Sequence, residues 1–268
     1  MSPSTVAGER EIQIPSPEFT PEEVAGFQRD GYAIVRGMAD ASLRERMLQA
    51  TLEGLGRSSD PVEYEAELHY PGSPNSLQSE GGRTVRRLKQ AHSRGYVFTE
   101  WVARPELTTR LRQLLGPNVV MPLVHHNCIM TKMPSFSSDT GWHQDIRYWS
   151  FRRQELVNVW LALGKEYPEN GCLRLIPGSH RMNFERCRFD ESLFLRTDHP
   201  GNQELFQSEI NAELEPGDVL FFHCRTFHTA DRNRSRDPKF SVVFTFRPGG
   251  NSPLPGTRSA SLPELIVP

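Results

Sequence analysis

In the segment TGWHQDIRYW, Thr140 to Trp149, His143 and Asp145 stand two residues apart among aromatics. An imidazole and a carboxylate at that separation can bind one divalent ion. Non-haem iron sites that activate oxygen commonly take two histidines and one carboxylate on one face of the metal, and leave the other positions open. In an extended segment residues i and i+2 point the same way. His143 and Asp145 could therefore share an ion while Gln144 faces elsewhere. The pair equally suits a polar turn between strands, and its spacing alone does not decide.

A third ligand has to come from far along the chain. Among nine histidines, His228 is the best placed. It closes GDVLFFHCRTFH, in which a Gly-Asp turn launches the apolar strand Val219 to Phe222. His223, five residues earlier, is the rival, and is a supporting or core histidine if His228 ligates. His125 and His126 adjoin each other, so on a strand they face opposite ways and at most one sees a cavity.

Elements must carry these residues to one place. Thr20-Pro21-Glu22-Glu23 is a helix start with a capping box and a proline at the first helical position. Val24 and Phe27 then share a face, and Gly31 ends the helix. Tyr32 to Val35 reads as a short strand. A second helix follows Asp40, with Leu43, Met47, Leu48 and Leu52 at helical spacing, and ends around Gly54 to Gly56. Residues 57–84 are rich in Pro, Gly and Ser and read as a long loop or lid. A helix over Glu106 to Leu115 stops at Gly116-Pro117. From Asn118 onward the runs VVMPLVHH, CIMTKM, ELVNVWLAL, CLRLIPGS, DVLFFH and KFSVVFTFRP are short, β-like and punctuated by turn residues. Helices followed by many short strands make an α+β chain with an antiparallel sandwich or barrel core.

The bulk numbers exclude several classes. The 268 residues suit one large domain or two small ones and carry 37% hydrophobic and 24% charged residues. A net charge of −2 argues against a nucleic-acid or anionic-membrane surface. No apolar run is long enough for a membrane helix. Residues 1–17 read as a flexible leader without a signal-peptide core, ahead of one functional domain over 18–268. Cys128, Cys172, Cys187 and Cys224 form no CxxC and read as reduced thiols of a cytoplasmic protein.

GWHQDIRYW, NGCLRLIPGSH at 170–180, GDVLFFH at 217–223, the His228 segment and the early DGYAIVRG at 30–37 together resemble the phytanoyl-CoA dioxygenase family. The resemblance spans about residues 18 to 248 with five motifs in order. It implies a double-stranded β-helix, the jelly roll of cupin type, and an Fe(II)- and 2-oxoglutarate-dependent dioxygenase using O2. It implies His143, Asp145 and His228 as iron ligands. The expected reaction hydroxylates an unactivated C–H bond of a small organic substrate and releases succinate and CO2. Related halogenases replace the carboxylate with a small residue, whereas this chain keeps Asp145.

The family's basic anchor for 2-oxoglutarate, usually arginine, follows the distal histidine by eleven positions; here that position is Lys239. Lysine offers a point charge in place of a bidentate fork. Period two puts Lys239, Ser241, Val243 and Thr245 on one strand face, so Ser241 could donate to the same carboxylate. Arg232, Arg234 and Arg236 are the nearby alternatives, in a charged loop. Arg247 is about 26 Å further along an extended strand, too far to share the site. The resemblance also places Lys89, Cys128 and Trp160 at the cosubstrate, although Trp160 equally suits a core aromatic, Cys128 a plain buried thiol and Lys132 a strand-end charge. Arg147, Tyr148, Trp149 and Arg225 are the expected substrate contacts. The same core could instead be a non-catalytic metal- or ligand-binding jelly roll.

Overall fold

The structure, a computed structural model, describes residues 16–268; residues 1–15, most of the expected leader, lie outside the described residues. The order is α1 (Pro21–Asp30), β1 (Tyr32–Val35), α2 (Ala41–Arg57), β2 (Val62–Tyr64), β3 (Val85–Lys89), α3 (Tyr96–Ala103) and α4 (Pro105–Leu115). Then come β4 (Val119–Pro122), β5 (Asn127–Lys132), β6 (Thr140–His143), β7 (Val157–Ala162), β8 (Leu173–Leu175) and α5 (Pro200–Phe206). The chain closes with β9 (Ile210–Ala212), β10 (Val219–His223), β11 (His228–Ala230), β12 (Lys239–Pro248) and β13 (Glu264–Ile266).

Local chemistry accounts for the helix ends. The Thr20 hydroxyl accepts from the Glu23 amide while Glu23 accepts from the Thr20 amide, and Gly31 ends α1 in the left-handed region at φ 79°. The Asp40 carboxylate accepts the Leu43 amide at the start of α2, which runs on to Arg57.

The strands form two antiparallel sheets. The larger runs β1-β10-β7-β12-β5-β3-β2, with β4 joining β12 and β13; the smaller runs β6-β11-β8-β9. One apolar cluster joins Cys128, Trp160, Phe222 and Val243 of the large sheet to Leu173, Leu175 and Ala212 of the small one. That cluster is the inside of a sandwich. The other face of the large sheet packs on helices: Phe221, Val242, Phe244 and Phe246 bury with Leu43, Met47, Phe98, Trp101 and Leu111. The alternation of β12 expected from period two therefore holds. Lys239, Ser241 and Val243 face the sandwich interior, while Phe240, Val242, Phe244 and Phe246 face the helices. Together these features are the α+β jelly roll expected from the strand pattern.

Three expectations need correcting. Residues 57–84 are not all loop, because β2 lies within them and pairs with β3, continuing the large sheet. α3 was not foreseen, since YVFTEWVA is apolar and β-prone and Gly95 gives it no side-chain cap. α5 likewise begins at His199 without a side-chain cap. The glycines of the NGC and PGS motifs have a clear backbone reason. Gly171 and Gly178 sit at φ 73° and 75°, and a Cβ on Gly171 would collide with the Asp231 carbonyl.

Candidate metal centre

β6 and β11 are neighbours in the small sheet, with His143 directly opposite His228. This pairing brings together two histidines distant in sequence. β6 ends at His143, but Gln144 is still extended at φ −107° and ψ 137°, and a 3-10 turn, Asp145–Tyr148, begins only at Asp145. His143 and Asp145 therefore share a side while Gln144 turns away to the Arg225 carbonyl, and Asp145 Oδ1 is 3.7 Å from Nε2 of both His143 and His228. The three candidate ligand atoms lie within 4.8 Å of one another, and all three residues are buried.

The donors are set for a divalent cation. His143 Nδ1 donates to the Gly141 carbonyl at 2.8 Å and His228 Nδ1 to the Thr226 carbonyl at 3.1 Å. Those bonds fix the tautomers and leave both Nε2 lone pairs facing Asp145. Burial, reinforced by the neighbouring His228, holds His143 well below its usual range. Burial likewise lowers His228, against the pull of Asp145. Both rings are thus neutral ligands. Burial alone would raise Asp145, but the neighbouring imidazoles, His126 foremost, outweigh it and hold the carboxylate far below its ordinary range. Two neutral imidazoles and a carboxylate on one side, with room opposite, fit a non-haem iron site.

A second set of side chains orients the carboxylate. Asn158 Nδ2 donates to Asp145 Oδ2 at 2.7 Å, and Thr245 Oγ1 donates to Asn158 Oδ1 at 2.6 Å. Oδ2 is thereby occupied, and Oδ1 is the oxygen that faces the two histidines. His126 Nε2 also reaches Oδ1, at 2.9 Å. Burial opposes a charge on His126, yet Asp145 holds it up at about 9. Asn158→Ala should lower metal affinity by about ten- to a hundredfold, with the fold kept; calorimetric Fe(II) or Mn(II) titration measures it, and unchanged affinity would remove Asn158 from this role.

Two cavities meet at these ligands. The inner one lies inside the sandwich and is lined by His143, Asp145, His228, Trp160, Lys132, Lys239 and Ser241, among others. The outer one shares Arg87, His126, Thr140, His143 and Asp145 with it and opens past Arg147, Tyr148 and Trp149.

The other expected residues divide between these spaces. Lys239 and Ser241 line the inner cavity as β12 predicts, but both are engaged. Lys239 Nζ bonds Glu166 Oε2 at 2.9 Å, and Ser241 Oγ donates to Glu166 Oε1 at 2.6 Å. Trp160 also lines it, and its Nε1 donates to the same Oε1 at 2.9 Å. Cys128 and Lys89 line the outer cavity, Lys89 pairing with Glu63 at 3.4 Å. Arg147, Tyr148 and Trp149 line the outer cavity. The Arg147 guanidinium lies 4.0 Å above the Phe194 ring, and its polar contacts, to Ser192 and Tyr70, are 3.4 and 3.5 Å long.

Arg225 is a correction. Its guanidinium turns to the Met182 carbonyl and Asn183 on the surface and lines neither cavity. His125 and His126 both line the outer cavity, because they lie in the turn between β4 and β5 and not on a strand. His223 sits apart, its ring 5.2 Å from that of His180. Arg232 is tied to Asp139 and Arg247 to Glu264. Thr245 shares the Lys239 face by period two, but Glu166 and Asn158 carry no spacing signal; only the packing of β7, its following loop and β12 reveals them.

Comparison with known proteins agrees with this geometry. The profile of the phytanoyl-CoA dioxygenase family matches residues 27–241. An ectoine dioxygenase of Halomonas elongata is 27% identical over 66% of this chain and 57% of its own length. A probable phytanoyl-CoA dioxygenase of Caenorhabditis elegans is 21% identical, over 78% of this chain and 69% of its own. The structure of EctD from S. alaskensis with bound Fe superposes with a TM-score of 0.74 at 20% identity, covering 96% of this chain and 90% of that one. The epimerase SnoN, in complex with Fe3+, alpha ketoglutarate and nogalamycin RO, gives 0.69 at 21% identity over 92% and 94%. With a family profile spanning most of its length and two histidines and an aspartate converging inside the jelly roll, this chain belongs to the phytanoyl-CoA dioxygenase family of Fe(II)- and 2-oxoglutarate-dependent dioxygenases.

Proposed function

We propose that His143, Asp145 and His228 hold the iron, that the inner cavity takes 2-oxoglutarate, and that the outer cavity takes a small organic substrate that is hydroxylated at an unactivated C–H bond. The supporting observation is the position of the three ligands, at the junction of one cavity lined by lysines and arginines and one bordered by aromatic rings. Bound there, iron and 2-oxoglutarate supply the oxidant for C–H cleavage, with succinate and CO2 released. The chain supplies position and exclusion of water. Leu173, Phe222 and Val243 keep the inner cavity apolar around its charged groups. The Tyr70 and Phe194 rings meet edge to face 5.6 Å apart, and Phe194 lies 5.6 Å from the His143 ring. Tyr70, from the expected lid segment, thus reaches the ligands through Phe194 and lines the outer cavity. Lys239 and Ser241 form the far wall of the cosubstrate space, Lys89 and Cys128 border its mouth, and the 18–268 segment works as one domain.

Arg147 has only long polar contacts, so its charge is available to a ligand. Trp149 stacks on His125, ring centroids 4.6 Å apart, and gives the mouth an apolar wall. A substrate with an apolar body and an anionic handle fits that pairing. No described helix is long and apolar enough to cross a membrane. Four free cysteines, three of them buried, suit the cytoplasm. A succinate-release screen across carboxylated, phosphorylated and neutral small molecules tests this reading. Anionic compounds with an apolar body should stimulate release, and Arg147→Ala should raise KM for the best of them about ten- to a hundredfold with kcat little changed. Stimulation confined to neutral polar compounds would contradict the anionic handle.

A further inference from the structure

Four lysine and arginine side chains line the inner cavity: Arg86, Arg87, Lys132 and Lys239. Three have a carboxylate. Arg86 meets Glu65 at 3.1 Å, Arg87 meets Glu63 at 3.2 Å and Lys239 meets Glu166 at 2.9 Å. Lys132 makes no ion pair among the described residues, and its Nζ reaches only the Ala230 carbonyl, at 3.3 Å. It is nevertheless buried, with 9% of its surface exposed. β5 and β12 are antiparallel neighbours, and Lys132 stands directly opposite Lys239 in their register. Two lysine amines therefore face one cavity, and Glu166 balances only one of them. A buried charge without a partner is costly, and like charges opposite one another on adjacent strands add to the cost. An anion in the cavity removes both penalties.

We infer that Lys132 supplies the charge that holds the distal carboxylate of 2-oxoglutarate, and that Lys239, already balanced by Glu166, adds an N–H donor but no net charge. The inference rests on the cosubstrate reading above. The register supports it: of the two lysines that face each other across β5 and β12, Lys132 is the one no carboxylate balances. The position expected from the family motif is thus only half of the anchor. The other half sits on the adjacent strand, at a residue that reads in sequence as a strand-end charge.

Burial first, then the charges of Lys239 and Arg86, push Lys132 down to about 7, against the pull of Glu65 and Asp139. A bound carboxylate favours the ammonium form. Binding then takes up a proton wherever the free amine is neutral, so affinity should fall as pH rises above about 7 and level off below it.

The test is an anaerobic titration of the Fe(II)-loaded protein with 2-oxoglutarate, following the absorption of the iron chelate and needing no turnover. Lys132→Met should weaken 2-oxoglutarate by about a hundredfold, with iron affinity and saturating band intensity unchanged. The substitution exchanges an unpaired buried ammonium for an apolar chain of similar length, which favours retention of the fold. Wild-type affinity should fall several-fold between pH 7 and pH 8.5, and that slope should vanish in Lys132→Met. Wild-type affinity in the variant, or a wild-type affinity flat across that range, would overturn the inference. An iron-loaded wild type that shows no chelate band at any 2-oxoglutarate concentration would overturn the cosubstrate reading, and this inference with it.

Discussion

Asp145→Ala is expected to abolish substrate-dependent succinate release and to weaken iron binding by more than the ten- to hundredfold typical of outer partners of a ligand. The reason is the division of labour between its two oxygens. Oδ2 is fixed by Asn158, itself fixed by Thr245. Oδ1 is the atom that faces both histidine Nε2 atoms. Alanine removes the only carboxylate of the three converging ligands and leaves two neutral imidazoles, with no anion to balance a divalent charge. The histidines keep their carbonyl partners at Gly141 and Thr226, so their orientation should survive. Metal content after dialysis, measured beside succinate release, separates a lost ligand from a lost fold. Near-normal succinate production would sink the assignment of Asp145.

The second large effect concerns stability. Glu166 is 1% exposed, and its carboxylate accepts from Lys239, Ser241 and Trp160. Lys239→Ala leaves that carboxylate buried without its cation and should cost about 3–5 kcal/mol. For a chain of this size that is a fall in Tm on the order of 10 °C. The ion pair itself is not expected to be worth that much, because its formation strips water from both charges. Pairing Lys239→Met with Glu166→Gln should therefore recover most of the loss: glutamine keeps an acceptor for Ser241 and Trp160 and carries no charge. Differential scanning calorimetry of both variants decides the point. A Tm unchanged in Lys239→Ala would show that the pair does not hold the inner wall together.

The metal ligands were legible because their chemistry is local or repeated by the fold. His143 and Asp145 share one motif, and His228 follows an unmistakable apolar strand. Alternation through the extended Gln144 brings the pair to one side, and what no spacing rule shows is the 3-10 turn that begins at Asp145. The face of β12 was legible for the opposite reason, since Lys239, Ser241 and Val243 line the cavity while Phe240, Val242, Phe244 and Phe246 alternate with them into the helix layer.

Burial and partners were not legible. Lys132 and Lys89 look alike in sequence, yet one is buried without a countercharge and the other is half-exposed on Glu63. The bond between Lys239 and Glu166 spans 73 positions and depends on the loop after β7 folding back onto β12. Arg225 was misplaced because its side chain leaves the site at the turn between β10 and β11, where sequence position gives no direction. Residues 57–84 lacked periodicity because β2 has only three residues, too few to show one.

The central claim is that His143, Asp145 and His228 hold an iron ion that chelates 2-oxoglutarate in the inner cavity. Anaerobic addition of 2-oxoglutarate to the Fe(II)-loaded wild type and to Asp145→Ala tests it most directly. A saturable visible absorption band should appear in the wild type and be absent from Asp145→Ala at the same iron and cosubstrate concentrations. An iron-loaded wild type without that band, or a band of equal strength in Asp145→Ala, would contradict the account.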